Sequence, residues 1–301
     1  MQGLLKLAVR GLVRPALSGR VPVGMQRVWG GLIGLTLLGP RGATYHERRQ
    51  AGVSLLEITP ATREDGRGVL YLHGGGYVMG GFASHCKLAA AIGDAAGARV
   101  WLPDYRLAPE DPHPAALKDV VAIYSDLLQQ GQAADQLVIA GDSAGGGLSL
   151  ALALAIRDAG LPPPAALVLI SPWTDLSLSG PSIASHAGRD PMLTPGWLRA
   201  CSAAYRDGVS SADPACSPLF ADLHGLPPTL IQVGSEEILL SDALRLRDRL
   251  HNAGADCELQ QFAGLWHVFQ LHHGLLSGAN RAVEDIGTFI RNKTMRLAQA
   301  A

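Results

Sequence analysis

The sequence predicts an α/β fold in which a mostly parallel sheet is covered by helices on both faces. From about residue 51, short β-rich segments alternate with longer stretches of helical periodicity, and this alternation is typical of parallel sheets. Several of the short segments are apolar almost throughout, as expected for strands that are covered on both faces. A chain of 301 residues can bury a large core, so we expect one large domain with insertions.

The alternation contains seven candidate strands and five candidate helices. The strands are predicted at residues 53–58, 69–72, 99–102, 137–140, 167–170, 229–233 and 258–262. The helices are predicted near residues 84–96, 114–130, 145–159, 241–253 and 279–292. Strand and helix therefore alternate over most of the chain, with one interruption.

The interruption lies at residues 177–226. No strand is predicted there, and Pro, Gly, Ser and Asp punctuate two short helix-like pieces around residues 197–205. An insertion of this length in an α/β fold usually forms a lid or a wall of the substrate pocket. The predicted organisation is therefore an N-terminal helical segment at residues 1–40 and a main domain at residues 41–301, with the insertion at about residues 177–226.

The N-terminal segment has the pattern of amphipathic helices. One helical face is apolar and contains Leu4, Leu5, Ala8 and Leu12. Another face is basic and contains Lys6, Arg10 and Arg14. The uncharged run between Arg27 and Arg41 is 13 residues long, whereas a membrane-spanning helix needs roughly 20. We therefore predict helices that pack on the main domain and no stable membrane span. An anchor that lies in the membrane interface is the alternative.

The composition argues against several classes of function. A formal net charge of -1 provides no electrostatic footprint for nucleic acid, so no nucleic-acid partner is expected. None of the four cysteines lies in C-x-x-C spacing, which indicates neither a zinc site nor a redox dithiol. The cysteines are interpreted as free thiols in a reducing compartment, and this predicts a cytoplasmic protein without a bound metal.

The stretch "LVIAGDSAGGGLSLALALAI" is a buried strand that runs directly into a helix of small residues. At the junction, residues 141–145 fit the G-x-S-x-G pattern of a nucleophile elbow. The glycines are needed because so tight a turn leaves no room for a Cβ atom on either side of the serine. The turn also lifts the Ser143 hydroxyl to the carboxyl end of the strand, at a helix N-terminus that favours negative charge. Ser143 is therefore the predicted nucleophile.

A second glycine run, "HGGG", follows the predicted strand at residues 69–72. A plain turn needs only one or two glycines, so three in a row indicate a backbone that must approach a ligand closely. We predict that the backbone N–H groups of Gly74 and Gly75, with that of Ala144 after the nucleophile, form an oxyanion hole.

A serine nucleophile needs a general base, which in this fold follows the nucleophile and the acid along the chain. His267, in "FAGLWHVFQL", lies just after the last predicted strand and is the candidate base. His272 and His273 lie further along the chain and are expected at the surface.

The catalytic acid is expected after the predicted strand at residues 229–233. The stretch "SEEILLSD" there offers Glu237 just beyond the strand. Asp242 and Glu236 remain the alternatives, although an acid at the start of a helix, such as Asp242, is explained by capping alone.

Several stretches resemble the bacterial, hormone-sensitive-lipase-like branch of the α/β-hydrolase carboxylesterases. These stretches are "HGGGYVMGG", "DYRLAPEDPHPAAL", "GDSAGGGL", "SPWTDL" and "GLWHVF", and the resemblance extends from about residue 51 to the C-terminus. It implies an α/β-hydrolase fold with about eight strands, a Ser–acid–His triad, an HGG oxyanion loop, and a helical cap built from the N-terminal helices and the insertion. Many relatives carry aspartate as the acid, and matching "EILLSD" to their pattern places Glu237 in that position.

The resemblance implies a serine carboxylesterase that cleaves small-molecule esters with short to medium acyl chains through an acyl-enzyme, without a cofactor. Amide or N-acetyl deacetylation by the same triad and a non-catalytic ligand receptor are the alternatives. Relatives often pair through the last edge strand, here residues 257–262, which suggests a homodimer. The candidate pocket residues are apolar: Tyr77, Met79, Met192, Leu193, Trp197, Leu198 and Tyr205.

Overall fold

A computed structural model describes residues 2–64 and 66–295 of the chain. The described residues form a sheet of eight strands in the order β1-β2-β4-β3-β5-β6-β7-β8. The strands from β3 to β8 pair in parallel, whereas β1 pairs with β2 and β2 with β4 in antiparallel fashion. The strands are β1 (Thr44–Gln50), β2 (Val53–Thr59), β3 (Gly68–Leu72), β4 (Arg99–Pro103), β5 (Leu137–Asp142), β6 (Ala166–Ile170), β7 (Thr229–Gly234) and β8 (Cys257–Phe262).

The α-helices of the described residues are α1 (Gln2–Ala8), α2 (Val23–Gly34), α3 (Phe82–Ala96), α4 (Ala115–Gln129), α5 (Ala144–Asp158), α6 (Ser182–Ser185), α7 (Pro195–Arg206), α8 (Leu240–Asn252) and α9 (Ser277–Lys293). A π-helical turn at Val9–Val13 follows α1, and short 3-10 turns lie at Ala134–Gln136, Pro218–Phe220 and Phe269–His272. The predicted α/β fold with a mostly parallel sheet of about eight strands is confirmed.

Side chains alternate between two core layers along the buried strands. In β3, Leu70 and Leu72 face the layer that contains residues of α4, α5 and α8, whereas Val69 and Tyr71 face the layer that contains residues of α3 and α9. Successive side chains of a strand point to opposite faces of a sheet. Because helices cover both faces, every residue of β3 is apolar or glycine and is buried. This explains the continuous apolar runs in the sequence.

All seven predicted strands are present, and each differs from its prediction by at most two residues at either end. Strand β1 was not predicted from the sequence. Its residues, TYHERRQ, are mostly polar, and only Gln50 is buried, so the strand has no apolar alternation to reveal it. It joins β2 through Ala51 and Gly52, which both have positive φ, 49° and 82°, as a two-residue hairpin turn requires.

The N-terminal helices and the insertion contact each other and the main sheet domain. Trp197 Nε1 on α7 donates a hydrogen bond to Gln26 Oε1 on α2 (2.8 Å). The Arg14 guanidinium donates to the carbonyl oxygens of Asp190 (2.7 Å) and Ala187 (2.9 Å) in the insertion. Arg27 on α2 donates to the carbonyl oxygen of Val78, in the loop between β3 and α3 (2.8 Å). These bonds hold the two segments beside the loops that carry the predicted site.

The predicted division into residues 1–40 and residues 41–301 stays a prediction, and residues 1, 65 and 296–301 of those units lie outside the described residues. The insertion at residues 177–226 contains α6, α7 and a 3-10 turn but no strand. Within residues 2–64 and 66–295, no helix has both the length and the apolar character that crossing a membrane demands.

Candidate active site

Ser143 occupies the sharp turn between β5 and α5. Its backbone has φ 53° and ψ -121°, a conformation that costs a non-glycine residue free energy and that is found mostly at functional sites. The turn is tight because the two segments approach closely. A Cβ atom on Gly145 would lie 2.0 Å from the carbonyl oxygen of Leu72 in β3. The glycine of the motif is therefore required where the elbow contacts the neighbouring strand.

The glycine run after β3 lies beside this elbow. Gly75 and Gly76 have positive φ, 120° and 64°, and Gly75 and Ser143 line the same cavity. Among the described residues, no hydrogen-bond acceptor is recorded for the backbone N–H groups of Gly75, Gly76 and Ala144. These three groups are free to donate, and Gly75 itself lies in the cavity wall.

The prediction that Gly74 donates to such an oxygen is contradicted. Its backbone N–H already donates to Asp142 Oδ1 (3.1 Å), and a Cβ atom on Gly74 would lie 2.2 Å from Asp142 Oδ2. Gly74 therefore brings the loop against the carboxylate of Asp142. The adjacent Gly76, which was not in the predicted set, has the unbonded N–H group instead.

Asp142 is a buried carboxylate that joins the elbow to the glycine loop. Besides Gly74, it accepts a hydrogen bond from the Tyr71 hydroxyl (2.8 Å), and its Oδ2 lies 3.3 Å from His85 Nε2. Burial alone would raise the pKa of Asp142, but His85 and Tyr71 hold it below its usual value. The ionised carboxylate therefore stabilises the relative positions of the two loops.

His267 and Glu237 form a buried hydrogen-bonded pair. The distance from His267 Nδ1 to Glu237 Oε2 is 2.8 Å, and the side chains are 3% and 0% exposed, respectively. The other carboxylate oxygen, Oε1, accepts hydrogen bonds from the backbone N–H of Gly234 (2.6 Å) and from the Ser171 hydroxyl (2.9 Å). Three donors therefore fix the carboxylate, and the carboxylate fixes the imidazole.

The pair changes the protonation of His267. Burial of the imidazole lowers its pKa, but the hydrogen bond and negative charge of Glu237 outweigh burial, so the pKa of His267 lies above its usual value of 6.5. His267 lines the same cavity as Ser143. No hydrogen bond joins His267 to the Ser143 hydroxyl among the contacts of the described residues. Such bonds often form only when substrate is bound.

The two alternative acids have other partners. Glu236 forms an ion pair with Lys6 of α1. Asp242 Oδ2 accepts hydrogen bonds from the backbone N–H groups of Thr174 (3.0 Å) and Asp175 (2.9 Å). Burial and the charge of Asp175 raise the pKa of Asp242 to about 7. Of the three candidate acids, the structure therefore brings Glu237 to His267.

Ser171 belongs to the site and was missed by the sequence analysis. It follows the last residue of β6, and its φ is 46°. Its hydroxyl donates to Glu237 and accepts a hydrogen bond from the backbone N–H of Val268 (3.2 Å). A single side chain thereby holds the carboxylate and the loop of His267 in register. Two signals could have found it: it is a polar residue directly after an apolar strand, and it begins the "SPWTDL" stretch that carries part of the resemblance.

Asp190 of the insertion is a second buried carboxylate near the pair. Its Oδ1 accepts from the backbone N–H groups of Met192 (2.8 Å) and Leu193 (2.9 Å). Its Oδ2 accepts from Ile238, the residue after Glu237 (3.0 Å). Burial raises the pKa of Asp190. The carboxylate thereby connects the insertion to the loop that carries Glu237.

A cavity of about 850 Å³, part of it open to solvent, contains Ser143 and His267 in its wall. Of the predicted pocket residues, Met79, Met192, Leu193 and Trp197 line it. Tyr77, Leu198 and Tyr205 do not, so the prediction for these three is wrong. Leu198 is fully buried, and the rings of Tyr77 and Tyr205 stack on each other with centroids 3.8 Å apart. They pack the loops together rather than face the cavity.

Much of the cavity wall comes from residues that were not predicted to line it. The N-terminal segment contributes Val9, Val13, Ala16, Leu17, Trp29, Ile33 and Leu37, and the region after His267 contributes Val268, Leu271 and His272. His272, expected at the surface, is half-buried, and burial together with the nearby His273 lowers its pKa to about 4. The sequence indicated helices in the N-terminal segment but not which side chains face the site. Within residues 2–64 and 66–295, no group of three or more His, Cys, Asp or Glu side chains is arranged to hold a metal ion.

Comparisons with known proteins agree with this architecture. Residues 69–271 match the sequence model of a family described as having the alpha/beta hydrolase fold. An acetyl-hydrolase of Streptomyces hygroscopicus is 46% identical over 237 residues, and the match covers 79% of each chain.

Two solved structures resemble nearly the whole chain. EstE5, in a crystal soaked by p-nitrophenyl butyrate, has a TM-score of 0.93 and 37% identity, and the match covers 97% of this chain and 98% of EstE5. An esterase from the bacterial hormone-sensitive lipase family has a TM-score of 0.92 and 37% identity, and the match covers 96% of this chain and 98% of that one.

The opposite environments of His267 and His272 lead to a prediction about titration. Glu237 raises the pKa of His267, so this imidazole should keep its proton above pH 6.5. His272 should lose its proton near pH 4 because burial disfavours its charge. An NMR titration of the histidine ring signals, assigned with single His→Gln variants, measures both. If His267 titrates together with His272 or below it, Glu237 does not stabilise the imidazolium.

Proposed function

Since this chain belongs to the α/β-hydrolase family, as a carboxylesterase of its bacterial hormone-sensitive-lipase group, we propose that Ser143, His267 and Glu237 are its catalytic triad. The observation that carries the proposal is the buried hydrogen bond between Glu237 and His267, in a cavity whose wall also contains the strained Ser143. This is the arrangement of nucleophile, base and orienting acid that acyl transfer needs.

In the proposed reaction, the Ser143 hydroxyl attacks the acyl carbon of an ester while His267 takes its proton. Glu237 holds the imidazole in the tautomer that leaves the nitrogen facing Ser143 free to accept this proton. The charged oxygen of the tetrahedral intermediate binds the free backbone N–H groups of Gly75, Gly76 and Ala144. His267 then donates its proton to the leaving alcohol, and an acyl-enzyme forms. Water, activated by His267 in the same way, releases the acid.

We further propose that residues 1–40 and 177–226 act as the cap of this site. Both segments contribute apolar side chains to the cavity, including Val13 and Trp29 from the first and Met192 and Trp197 from the second. An apolar wall favours uncharged acyl groups, and we propose that these are short to medium chains. The Streptomyces relative named acetyl-hydrolase and the soak of EstE5 with a butyrate ester support the same range.

Hydrolysis of p-nitrophenyl esters from acetate to palmitate tests this proposal. We expect turnover to peak at short or medium chains because side chains of the cap form part of the cavity wall, and Ser143→Ala to abolish it. Ser185→Ala, at an exposed serine of the insertion, is the matched control and should keep wild-type activity. Activity that survives in folded Ser143→Ala would exclude Ser143 as nucleophile. A maximum at palmitate would contradict the proposed preference for short to medium acyl chains.

Ser171 is a positioning residue for this reaction. Ser171→Ala removes a hydrogen bond to the Glu237 carboxylate, and bonds to charged groups contribute about 1.5–3 kcal/mol. We therefore expect kcat to fall roughly 10- to 100-fold. KM should change little because Ser171 does not line the cavity.

Steady-state kinetics on p-nitrophenyl acetate measure kcat and KM separately and so test whether only kcat falls. Ser202→Ala is the matched control, since Ser202 is a buried serine whose hydroxyl donates only to the carbonyl oxygen of Leu176 (2.9 Å) among the described contacts. A Ser171→Ala enzyme with wild-type kcat, or equal losses in the two variants, would show that Ser171 does not position Glu237.

A further inference from the structure

Helix α2 is packed in the reverse of the usual orientation for a surface helix. Its small and polar residues face the protein: Gln26 and Gly34 are buried, and a Cβ atom on Gly34 would lie 2.1 Å from the carbonyl oxygen of Ala83. Four large apolar residues of the helix and one just after it are exposed instead: Met25, Val28, Trp29 and Leu32, followed by Leu35. They follow the i, i+3, i+4, i+7 spacing of a single helical face. A surface helix normally buries such a face.

The apolar exposure is concentrated in the N-terminal segment. Of the eleven large apolar side chains that are exposed in the described part of the chain, nine lie between Leu4 and Leu38. We call these nine the N-terminal apolar surface: Leu4, Leu7, Leu12, Met25, Val28, Trp29, Leu32, Leu35 and Leu38. The two helical pieces are joined where Trp29 Nε1 donates to the carbonyl oxygen of Leu12 (2.9 Å). Clustered exposure of this kind marks an interaction site.

The charged residues of the N-terminal segment itself have one sign. The first acidic residue of the chain is Glu47, whereas Lys6, Arg10, Arg14, Arg20, Arg27 and Arg41 precede it. Lys6 and Arg27 are paired with Glu236 and Glu110. For the other four, no ion pair is recorded within residues 2–64 and 66–295, and Arg10 and Arg14 donate to backbone carbonyl oxygens. The N-terminal apolar surface is therefore flanked by uncompensated positive charge.

The surface also continues into the catalytic cavity. Trp29 belongs to both, and Ile33 and Leu37, which lie between exposed residues of the same segment, line the cavity that contains Ser143. The N-terminal apolar surface therefore adjoins the catalytic cavity.

From the reversed helix, the clustered exposure and the positive charge, we propose that the N-terminal apolar surface docks on the surface of an anionic lipid bilayer. Helices with exposed leucine and tryptophan and basic flanks lie in the interface of such bilayers, and each basic residue near the surface strengthens binding roughly fivefold. A second copy of the chain is the less favourable occupant. A two-fold interface would bring the same surface against itself and oppose like charges. Anionic lipid headgroups, in contrast, complement the positive charges of the surface.

The proposal is tested by co-sedimentation of the full-length protein with vesicles of phosphatidylcholine and phosphatidylglycerol, or of phosphatidylcholine alone. Wild type should bind the anionic vesicles, and salt should weaken the binding because it screens the charges. Leu32→Gln with Leu35→Gln should lower the partition coefficient roughly tenfold or more. Arg20→Gln with Arg41→Gln should lower it by a factor on the order of 25 on anionic vesicles. None of these four substituted residues lines the cavity, so both double variants should hydrolyse soluble p-nitrophenyl acetate at the wild-type rate.

Met295→Gln is the matched control because Met295 is exposed but is not part of the N-terminal apolar surface, and the adjacent Thr294 bonds to Arg67; it should bind like wild type. The proposal is overturned if wild type binds neither kind of vesicle, if it binds both equally, or if the leucine pair binds like wild type. It is also overturned if size-exclusion chromatography shows a wild-type dimer that the leucine pair converts to monomer. Vesicle binding is measured without turnover, so this result is independent of the proposed triad.

Discussion

The site depends on one buried negative charge, the carboxylate of Glu237. A carboxylate without solvent exposure is tolerated only when hydrogen bonds and a cation compensate its lost hydration. Here the compensation comes from the ends of three neighbouring strands: Ser171 after β6, Gly234 at the end of β7, and His267 after β8. Satisfying the charge therefore aligns these loops at the carboxyl edge of the sheet. The base of the proposed reaction is held in place by the same bonds.

A second buried carboxylate organises the other half of the site. Asp142 precedes the nucleophile and accepts the Gly74 N–H, so the glycine loop is fixed against the elbow. The free N–H groups of Gly75 and Gly76 then point to a place that the protein leaves empty of acceptors among its described residues. Glycine is needed because the elbow and the loop approach too closely for a Cβ atom. Both carboxylates thus use short-range contacts to preorganise the site before substrate arrives.

Local pattern and chain order were enough to predict the parallel sheet, the elbow and His267 as the candidate base, because those features follow from periodicity and from rigid strand–turn–helix geometry. They left three carboxylates open as the partner of His267, and the contact with Glu237 appears only in the structure. Strand β1 could not be predicted because its exposed residues have no apolar alternation. The bonding of Gly74 and the contacts of Ser171 depend on residues distant along the chain. Most of the cavity wall was not predicted, since which face of α2 is buried depends on glycine packing against Ala83. Stacking of Tyr77 on Tyr205 likewise has no sequence signal.

The most direct measurement of the role of Glu237 is kcat on p-nitrophenyl acetate for Glu237→Gln beside Asp242→Asn. Replacing the carboxylate by an amide preserves size but removes the charge and favours the wrong tautomer of His267, so kcat should fall by roughly 10³ to 10⁴. Asp242→Asn can still accept the two backbone hydrogen bonds and should keep kcat within about fivefold. Circular dichroism confirms that both variants are folded. A folded Glu237→Gln enzyme with near wild-type kcat, together with an inactive Asp242→Asn, would contradict the assignment of Glu237 as the acid.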